Sequence, residues 1–192
     1  MTHIIAIDIG GTQMRAACYP PEGLTPVSLA RTSTQRGEMG KGSIEPLKRL
    51  FELIESIWPK DSPVEAISVA VPGPVNPYIG ILLEAPNIPG WEDLPLQKHL
   101  QERFCTKVLL GNDANLAALS EWKYGAGRGH HHMIYMTVST GIGGGIIIDD
   151  RLLLGAQGLA AEIGHMVVMP EGPVCGCGGR GHLEAFSSGT AI

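Results

Sequence analysis

The sequence predicts a layered α/β protein, because short apolar strands alternate along it with helices that carry one apolar face. The chain opens with an apolar run at 4–7, which a Gly10-Gly11 turn follows. After Ser43, apolar residues recur at helical spacing as far as Ile57. Strand and helix patterns then alternate again between residues 64 and 124. This order is typical of a layered α/β domain.

The individual elements follow in chain order. Prolines after Ile57 end the first helix, and the Pro- and Gly-rich stretch at 76–91 predicts a loop with a short hairpin. Strands are expected at 4–7, 14–19, 27–32, 64–71, 107–110, 134–138 and 145–148, and helices at 43–57, 94–104, 114–124 and 183–192.

A glycine-rich hinge at 125–129 divides the predicted elements into two lobes. We expect an N-terminal α/β lobe over 1–124 and part of a second lobe over 125–192. The second segment has too little apolar periodicity to close a core by itself. We therefore expect a fragment, or half of an obligate assembly.

Composition narrows the class of protein. The formal net charge is -5 and no long basic run occurs, which argues against a nucleic-acid partner. The first residues lack the pattern of a secretion signal, and no stretch approaches the length of a membrane span. Two of the four cysteines are separated by one residue, which favours reduced thiols and a metal site over disulfides. We expect a cytoplasmic protein.

The first glycine turn is a candidate phosphate site. Asp8 ends a strand immediately before Gly10, Gly11 and Thr12. Glycines let backbone amides approach an anion, the threonine hydroxyl can donate a hydrogen bond, and Asp8 can hold the Mg²⁺ that accompanies a nucleotide. A plain β-hairpin is the alternative.

A second glycine run follows another strand. Ser139 and Thr140 precede Gly141, and Gly143 continues the run. The flanking residues are β-branched, which argues against a flexible linker. Together the two glycine turns are predicted to bind one polyphosphate from opposite sides, as phosphoryl transfer requires.

Carboxylates and an imidazole supply the candidate catalytic and sugar-binding groups. Asn112 and Asp113 stand at a strand end directly before a helix, where the aspartate is either a general base or a helix cap. Glu162 and His165 lie three residues apart. A carboxylate that accepts from two vicinal hydroxyls is a common means of sugar recognition.

A compact metal site is predicted near the end of the chain. Cys175, Cys177 and His182 lie within eight residues, and His165 precedes them. Two thiolates and two imidazoles suit tetrahedral zinc, and the alternative is a glycine-rich surface loop with uncoordinated thiols.

Other histidines and cysteines are expected to lie outside this site. The three consecutive histidines at 130–132 are expected to be solvated. Cys18 and Cys105 are expected to be buried packing residues.

These motifs together resemble the ROK family of sugar kinases, within the actin-like ATPase (RNase H-like) fold, and most of all its glucokinase-type members. The resemblance implies an ATP-dependent hexose kinase with Mg²⁺, with glucose as the favoured candidate substrate, and a homodimer. Mannose, fructose and N-acetyl sugars share the same contacts and stay open as substrates, and polyphosphate stays open as the phosphoryl donor. It implies that the N-terminal lobe is complete or nearly so. Family members continue beyond the length of this chain, and the additional part supplies most of the adenosine pocket.

The resemblance also assigns roles to individual residues. Asp113 is implied to be the base that accepts the proton of the attacking hydroxyl, and both glycine turns to contact the nucleotide phosphates. Zn²⁺ is implied to be structural, although the family usually has a third cysteine where His182 stands. The implied sugar contacts are Gly73, Asn87, Asn112, Asp113, Glu162, His165 and Glu184.

Two other functions stay open at this point. One is a sugar-responsive transcription regulator, since the family includes such proteins, although Asp8 lies too early for a preceding DNA-binding helix-turn-helix. The other is a sugar-binding fragment without catalytic activity. Separate titrations with glucose and with ATP distinguish this fragment from a kinase.

Overall fold

A computed structural model describes residues 2–34 and 44–192 of the chain. The chain divides into two compact units, Met1–Asp113 and Ala114–Ile192. The predicted lobe boundary after residue 124 falls later than this division and stays a prediction. The helix start that was expected at Ser43 lies outside the described residues.

The first unit contains eight strands and two helices among its described residues. Its elements are β1 (His3–Ile9), β2 (Gln13–Tyr19), β3 (Ser28–Ser33), α1 (Ile44–Ile57), β4 (Val64–Val71), β5 (Val75–Asn76), β6 (Ile81–Glu84), β7 (Glu92–Leu94), α2 (Leu96–Phe104) and β8 (Lys107–Asn112).

A five-stranded mixed sheet forms the centre of the first unit, in the order β3-β2-β1-β4-β8. β1 pairs antiparallel with β2 and parallel with β4, and β4 pairs parallel with β8. Every second residue of β1 is buried, namely Ile5, Ile7 and Ile9, because successive side chains of a strand point to opposite faces. The predicted strands of this unit are confirmed, and the parallel ones end side by side.

Helix α1 supplies the apolar layer that covers this sheet. Leu50 and Ile54 are fully buried, and Leu47 and Phe51 pack against the same core. This confirms the apolar face expected from the helical spacing. Helix α2 begins at Leu96, two residues later than expected, because the residues before Pro95 pair with β6 as strand β7.

A small antiparallel sheet, in the order β5-β6-β7, accounts for the Pro- and Gly-rich stretch where a short hairpin was expected. Trp91 is only 2% exposed and anchors the turn that precedes β7. The amide of Ala85 donates to the Trp91 carbonyl at 3.0 Å, and the amide of Ile88 donates to the Ala85 carbonyl at 2.9 Å. The loop that carries Asn87 is therefore held at both ends.

Helix α3 (Asp113–Tyr124) begins at the last residue of the first unit and leads into the second. The remaining elements of the second unit are β9 (Met133–Val138), β10 (Ile142–Ile148), β11 (Arg151–Leu152), a short 3-10 helix (Ile163–His165) and α4 (Glu184–Ser187). The strands form an antiparallel sheet in the order β11-β10-β9, which repeats the antiparallel order of β3-β2-β1.

Two expectations for the second unit were wrong in extent. Strand β10 begins at Ile142 and not at Gly145, because its glycines form part of the ladder and leave room for α3: a Cβ on Gly145 would lie 2.4 Å from the Cβ of Ala118. The expected helix over 183–192 is only the single turn of α4. It ends where Ser188 is extended, and the next amide, that of Gly189, donates to the Ser139 carbonyl at 2.7 Å instead of continuing the helix.

The structure separates the two cysteines that were expected to be buried. Cys18 is fully buried, and burial raises the pKa of its thiol. Cys105 is exposed, so that expectation was wrong. It ends α2 in the left-handed conformation and its amide donates to the Gln101 carbonyl, which turns the side chain toward solvent.

Among the described residues, no helix has both the length and the apolarity needed to cross a bilayer.

Candidate functional site

The first glycine turn joins β1 to β2. The Gly10 amide donates to the Gln13 carbonyl at 2.9 Å, which closes the turn. Thr34 braces it from the end of β3, because its hydroxyl donates to the Gly10 carbonyl and its amide donates to the Thr12 carbonyl, each at 2.8 Å. Thr34 is only 6% exposed. This threonine was not predicted from the sequence. The one feature that could have indicated it is its position directly after β3, the strand that pairs with β2.

This turn also touches a predicted sugar-binding residue. A Cβ on Gly11 would lie only 2.3 Å from the Cβ of Asn87, so the absence of a side chain at Gly11 permits the contact. Asp8 is exposed, and its carboxylate lies 3.9 Å from the Arg15 guanidinium. Since both of these side chains are more than half exposed, their ion pair contributes little, and a hydrated cation can reach the carboxylate.

The ends of the parallel strands bring other predicted residues together. The Asn112 side-chain amide donates to the Gly73 carbonyl at 3.1 Å. Gly73 has φ 80, and a Cβ there would lie 2.5 Å from the Glu84 carbonyl oxygen, so the turn requires glycine. Asp113 is the exposed first residue of α3. Asp113 directly follows an asparagine whose side chain is held by a hydrogen bond. A helix start also favours a negative charge, so the capping role and the base role are compatible.

In the second unit, α4 and the segment that follows it hold the second glycine turn. Glu184 accepts the Ile142 amide at 2.7 Å, the Gly189 amide donates to the Ser139 carbonyl at 2.7 Å, and the Thr190 hydroxyl donates to the Thr140 carbonyl at 2.9 Å. Thr190 was not anticipated from the sequence. Thr140 and Gly141, the predicted phosphate contacts, thus lie in a turn that is tethered on both sides. Gly143 lies in β10, where a Cβ would come within 2.9 Å of the Ala114 Cβ.

The four predicted metal ligands come together in the second unit. The ligand atoms of His165, Cys175, Cys177 and His182 all lie within 4.8 Å of one another. Cys175 Sγ is 3.7 Å from His165 Nδ1, and Cys177 Sγ is 3.3 Å from His182 Nδ1. Zinc bonds of about 2.3 Å to sulfur and about 2.0–2.1 Å to nitrogen place these atoms roughly 3.6 Å apart in a tetrahedron. The donor set and its spacing therefore fit Zn²⁺.

The loop backbone explains how these side chains meet. The Cys175 amide donates to the Gly179 carbonyl at 2.8 Å, which closes a tight turn around the Cys-Gly-Cys sequence. A Cβ on Gly179 would lie 2.4 Å from His182 Cε1, so glycine leaves space for the imidazole ring. Burial is the main cause that raises the pKa of the Cys175 thiol. A bound divalent cation favours the thiolate and opposes that shift.

His165 connects this cluster to a predicted sugar-binding carboxylate. Its Nδ1 faces Cys175, and its Nε2 lies 3.9 Å from Glu162 Oε2. One imidazole therefore has one nitrogen for a metal and the other directed toward a half-exposed carboxylate. Glu184 lies beside the same cluster, with Oε1 3.8 Å from Cys175 Sγ.

The histidine triplet outside this site is exposed, as expected. His131 Nδ1 lies 2.8 Å from Asp150 Oδ2, and His132 Nε2 lies 3.7 Å from Asp149 Oδ1. His131 and His132 thus each pair with a different carboxylate. The described residues contain one group of three or more potential ligands, and it is the His165 group.

Comparison with known proteins gives a consistent result. The profile of the ROK family matches residues 4–192. A glucokinase from Thermotoga maritima is 38% identical over 189 residues, which is 98% of this chain and 58% of that protein. An N-acetylmannosamine kinase from Yersinia pseudotuberculosis is 37% identical over 188 residues, covering 98% of this chain and 62% of that protein.

A solved structure also matches the whole fold of the chain. It is a ROK family glucokinase from Streptomyces griseus in complex with glucose and AMPPNP, with a TM-score of 0.82 and 36% identity. The match covers 98% of this chain and 58% of the solved chain. The predicted fold class, α/β of the actin-like ATPase type, is confirmed. The chain spans less than two thirds of the length of these relatives.

Proposed function

Since this chain belongs to the ROK family, we propose that it is the sugar-binding and phosphate-binding part of an ATP-dependent hexose kinase of the glucokinase type. The observation that carries the proposal is the end of strand β8. There, the Asn112 side chain donates to the Gly73 carbonyl, and Asp113, an exposed residue, follows it directly. Glucokinase and N-acetylmannosamine kinase relatives that cover 98% of the chain support the reaction class.

In this proposal Asp113 is the general base. Its carboxylate accepts the proton from a sugar hydroxyl as that oxygen attacks the γ-phosphate of ATP, while Asn112 and Gly73 bind neighbouring hydroxyls. A positioned base of this kind typically contributes about 10²–10⁴-fold to the rate. The fixed orientation of Asn112 keeps the sugar in register with the base, and such positioning contributes separately.

The two glycine turns are proposed to bind the phosphates. The proposed contacts are Gly10, Gly11 and Thr12 in the first unit and Thr140, Gly141 and Gly143 in the second. Because the Gly10 amide already donates to the Gln13 carbonyl, the Gly11 amide and the Thr12 hydroxyl are the proposed donors of the first turn. An acidic chain with a net charge of -5 has to hold phosphates through amides and a cation rather than through a basic surface. Asp8, which is exposed at the end of β1, is the proposed carboxylate for Mg²⁺. The glucokinase complex with AMPPNP supports ATP as donor.

Glu162, His165 and Glu184 are the proposed sugar ligands of the second unit, and Asn87 that of the first. Glucose is the proposed substrate. The N-acetylmannosamine kinase relative, at 37% identity, makes an N-acetylated hexose the second candidate. Both sugars present vicinal hydroxyls to carboxylates, so the difference lies in the space available for the acetamido group.

His165, Cys175, Cys177 and His182 would hold Zn²⁺ with a structural role. When bound there, the ion fixes the loop that carries His165 and so orients Glu162. Ligand-bearing loops of this kind orient neighbouring groups through the metal's coordination. A homodimer and a cytoplasmic location stay predictions, as does the absence of a nucleic-acid or membrane partner.

An Asp113→Asn variant tests the function, with Asp61→Asn, an exposed aspartate of the same unit, as control. Isothermal titration measures glucose and MgATP binding separately, and a coupled assay measures turnover. We expect Asp113→Asn to bind glucose nearly as well as the unchanged chain, and any turnover to fall by about 10²–10⁴-fold. Near-normal turnover in this variant contradicts the base assignment. Glucose binding without ATP binding in the unchanged chain supports the sugar-binding fragment instead.

A further inference from the structure

Residues 184–190, which we name the anchoring segment, contact residues 139–142, which we name the phosphate loop. The three hydrogen bonds that join them are made by Glu184, Gly189 and Thr190. Their partners in the phosphate loop are Ile142, Ser139 and Thr140, so the bonds reach both ends of the loop and its middle. No sugar contact or metal ligand assigned above explains the bonds from Gly189 and Thr190.

The contact is close because two glycines permit it. A Cβ on Gly141 would lie 2.4 Å from Glu184 Oε2, and a Cβ on Gly189 would lie 2.7 Å from the Ser139 carbonyl oxygen. Any side chain at either position would separate the two segments. The glycines of this region therefore serve the approach of the anchoring segment in addition to any approach of a ligand.

The bonds leave the donors of the phosphate loop available. The Ser139 and Thr140 carbonyls accept from the anchoring segment, and the Ser139 amide donates to Gly141 at 2.9 Å. Within the part of the chain that the structure describes, neither the Thr140 amide nor the Gly141 amide donates to a protein acceptor. Two adjacent, unsatisfied amides are the feature that binds an anion. Holding the carbonyls away from them keeps the loop in that orientation.

The Thr190 hydroxyl has a defined direction. It donates its single proton to the Thr140 carbonyl at 2.9 Å, so the Ser188 hydroxyl, 3.0 Å away, must donate to Thr190. Ser188 is only 1% exposed and fixes this pair from the interior. Thr140 and Thr190 are both exposed, so the hydroxyl pair is the structural element that connects an exposed loop to a buried residue.

We propose that Thr190 is a positioning residue for the phosphate loop, acting with Glu184, and that it sets the affinity for the donor phosphates without contacting the sugar. This rests on the proposed function of the loop in binding ATP. Glu184 links the same loop to the metal cluster, because its Oε2 accepts the Ile142 amide while its Oε1 faces Cys175.

Thr190→Val tests the proposal, since it removes the hydroxyl and keeps the shape. Thr190→Ser restores the hydroxyl, and Ser187→Ala alters an exposed residue of α4 as a matched control. Titration measures MgATP and glucose affinity, and amide hydrogen exchange reports on Ile142 and Gly189. Loss of one such hydrogen bond predicts MgATP affinity about 2- to 10-fold weaker in Thr190→Val, with faster exchange at both amides. Glucose affinity stays unchanged, and Thr190→Ser and Ser187→Ala behave as the unchanged chain.

Unchanged exchange at Ile142 and Gly189 in Thr190→Val overturns the proposal whatever the chain binds. Equal weakening of MgATP and glucose binding overturns it too, because it indicates general destabilisation. If the unchanged chain binds no MgATP, the proposed function fails in this chain and the claim on donor affinity is overturned with it. The exchange data then decide separately whether Thr190 holds the loop.

Discussion

Replacement of Gly11 by alanine tests whether the first glycine turn and the Asn87 loop fit as closely as the structure shows. The added methyl carbon would lie 2.3 Å from Asn87 Cβ, whereas carbon atoms in contact are normally about 3.5–4.0 Å apart. One of the two segments must move by roughly 1.2 Å or more to restore that distance. The Asn87 loop cannot move freely, because buried Ile88 and Trp91 hold it.

Overpacking of this kind typically costs about 1–3 kcal/mol. For a chain of this size each kcal/mol lowers the thermal midpoint by about 2–4 °C, so Gly11→Ala should lower it by roughly 2–12 °C. Circular dichroism during thermal unfolding measures this shift. Gly176→Ala is the control, because a Cβ there meets no atom within 4 Å, and we expect a change of no more than about 0.5 kcal/mol.

A double variant isolates the contact itself. Asn87→Gly removes the Cβ that the new methyl group would meet, so Gly11→Ala should cost much less in that background. An equal loss of stability with and without Asn87→Gly would refute the reasoning. So would a Gly11→Ala midpoint equal to that of the unchanged chain.

Two further predictions concern the metal cluster and the brace of the first turn. Mass spectrometry of metals should find about one zinc per chain, lost in Cys177→Ser but kept in Cys105→Ser, and zinc retained without Cys177 would speak against the ligand set. Thr34→Val removes the hydroxyl that donates to Gly10 and should lower the free energy of unfolding in urea by about 0.5–1.5 kcal/mol. Thr32→Val, two residues earlier in β3, is its control, and equal losses in both variants would argue against the brace.

The central sheet could be predicted because its strands carry their own signal. Ile5, Ile7 and Ile9 are buried at every second position, and the apolar run of β4 fits a strand with parallel neighbours on both sides. The cluster of four candidate metal ligands was also predictable, since three of them lie within eight residues and the turn between them is local.

Contacts between distant segments could not be predicted. Thr34 and Gly10 are 24 residues apart, and Thr190 and Thr140 are 50 apart, so only the folded chain brings each pair together. The start of β10 was predicted three residues too late because of its glycines. From sequence alone, a glycine in a turn cannot be distinguished from a strand glycine that makes room for a helix. Cys105 follows apolar Phe104, yet the left-handed end of α2 turns it outward.

The position of Asp113 beside a bound hexose is the central claim for this chain. A crystal structure of the chain with glucose and an ATP analogue measures the distance from the Asp113 carboxylate to the nearest sugar hydroxyl. A general base predicts a separation of about 2.6–3.2 Å, or one bridging water. A hexose bound away from Asp113 and Asn112 would contradict the account.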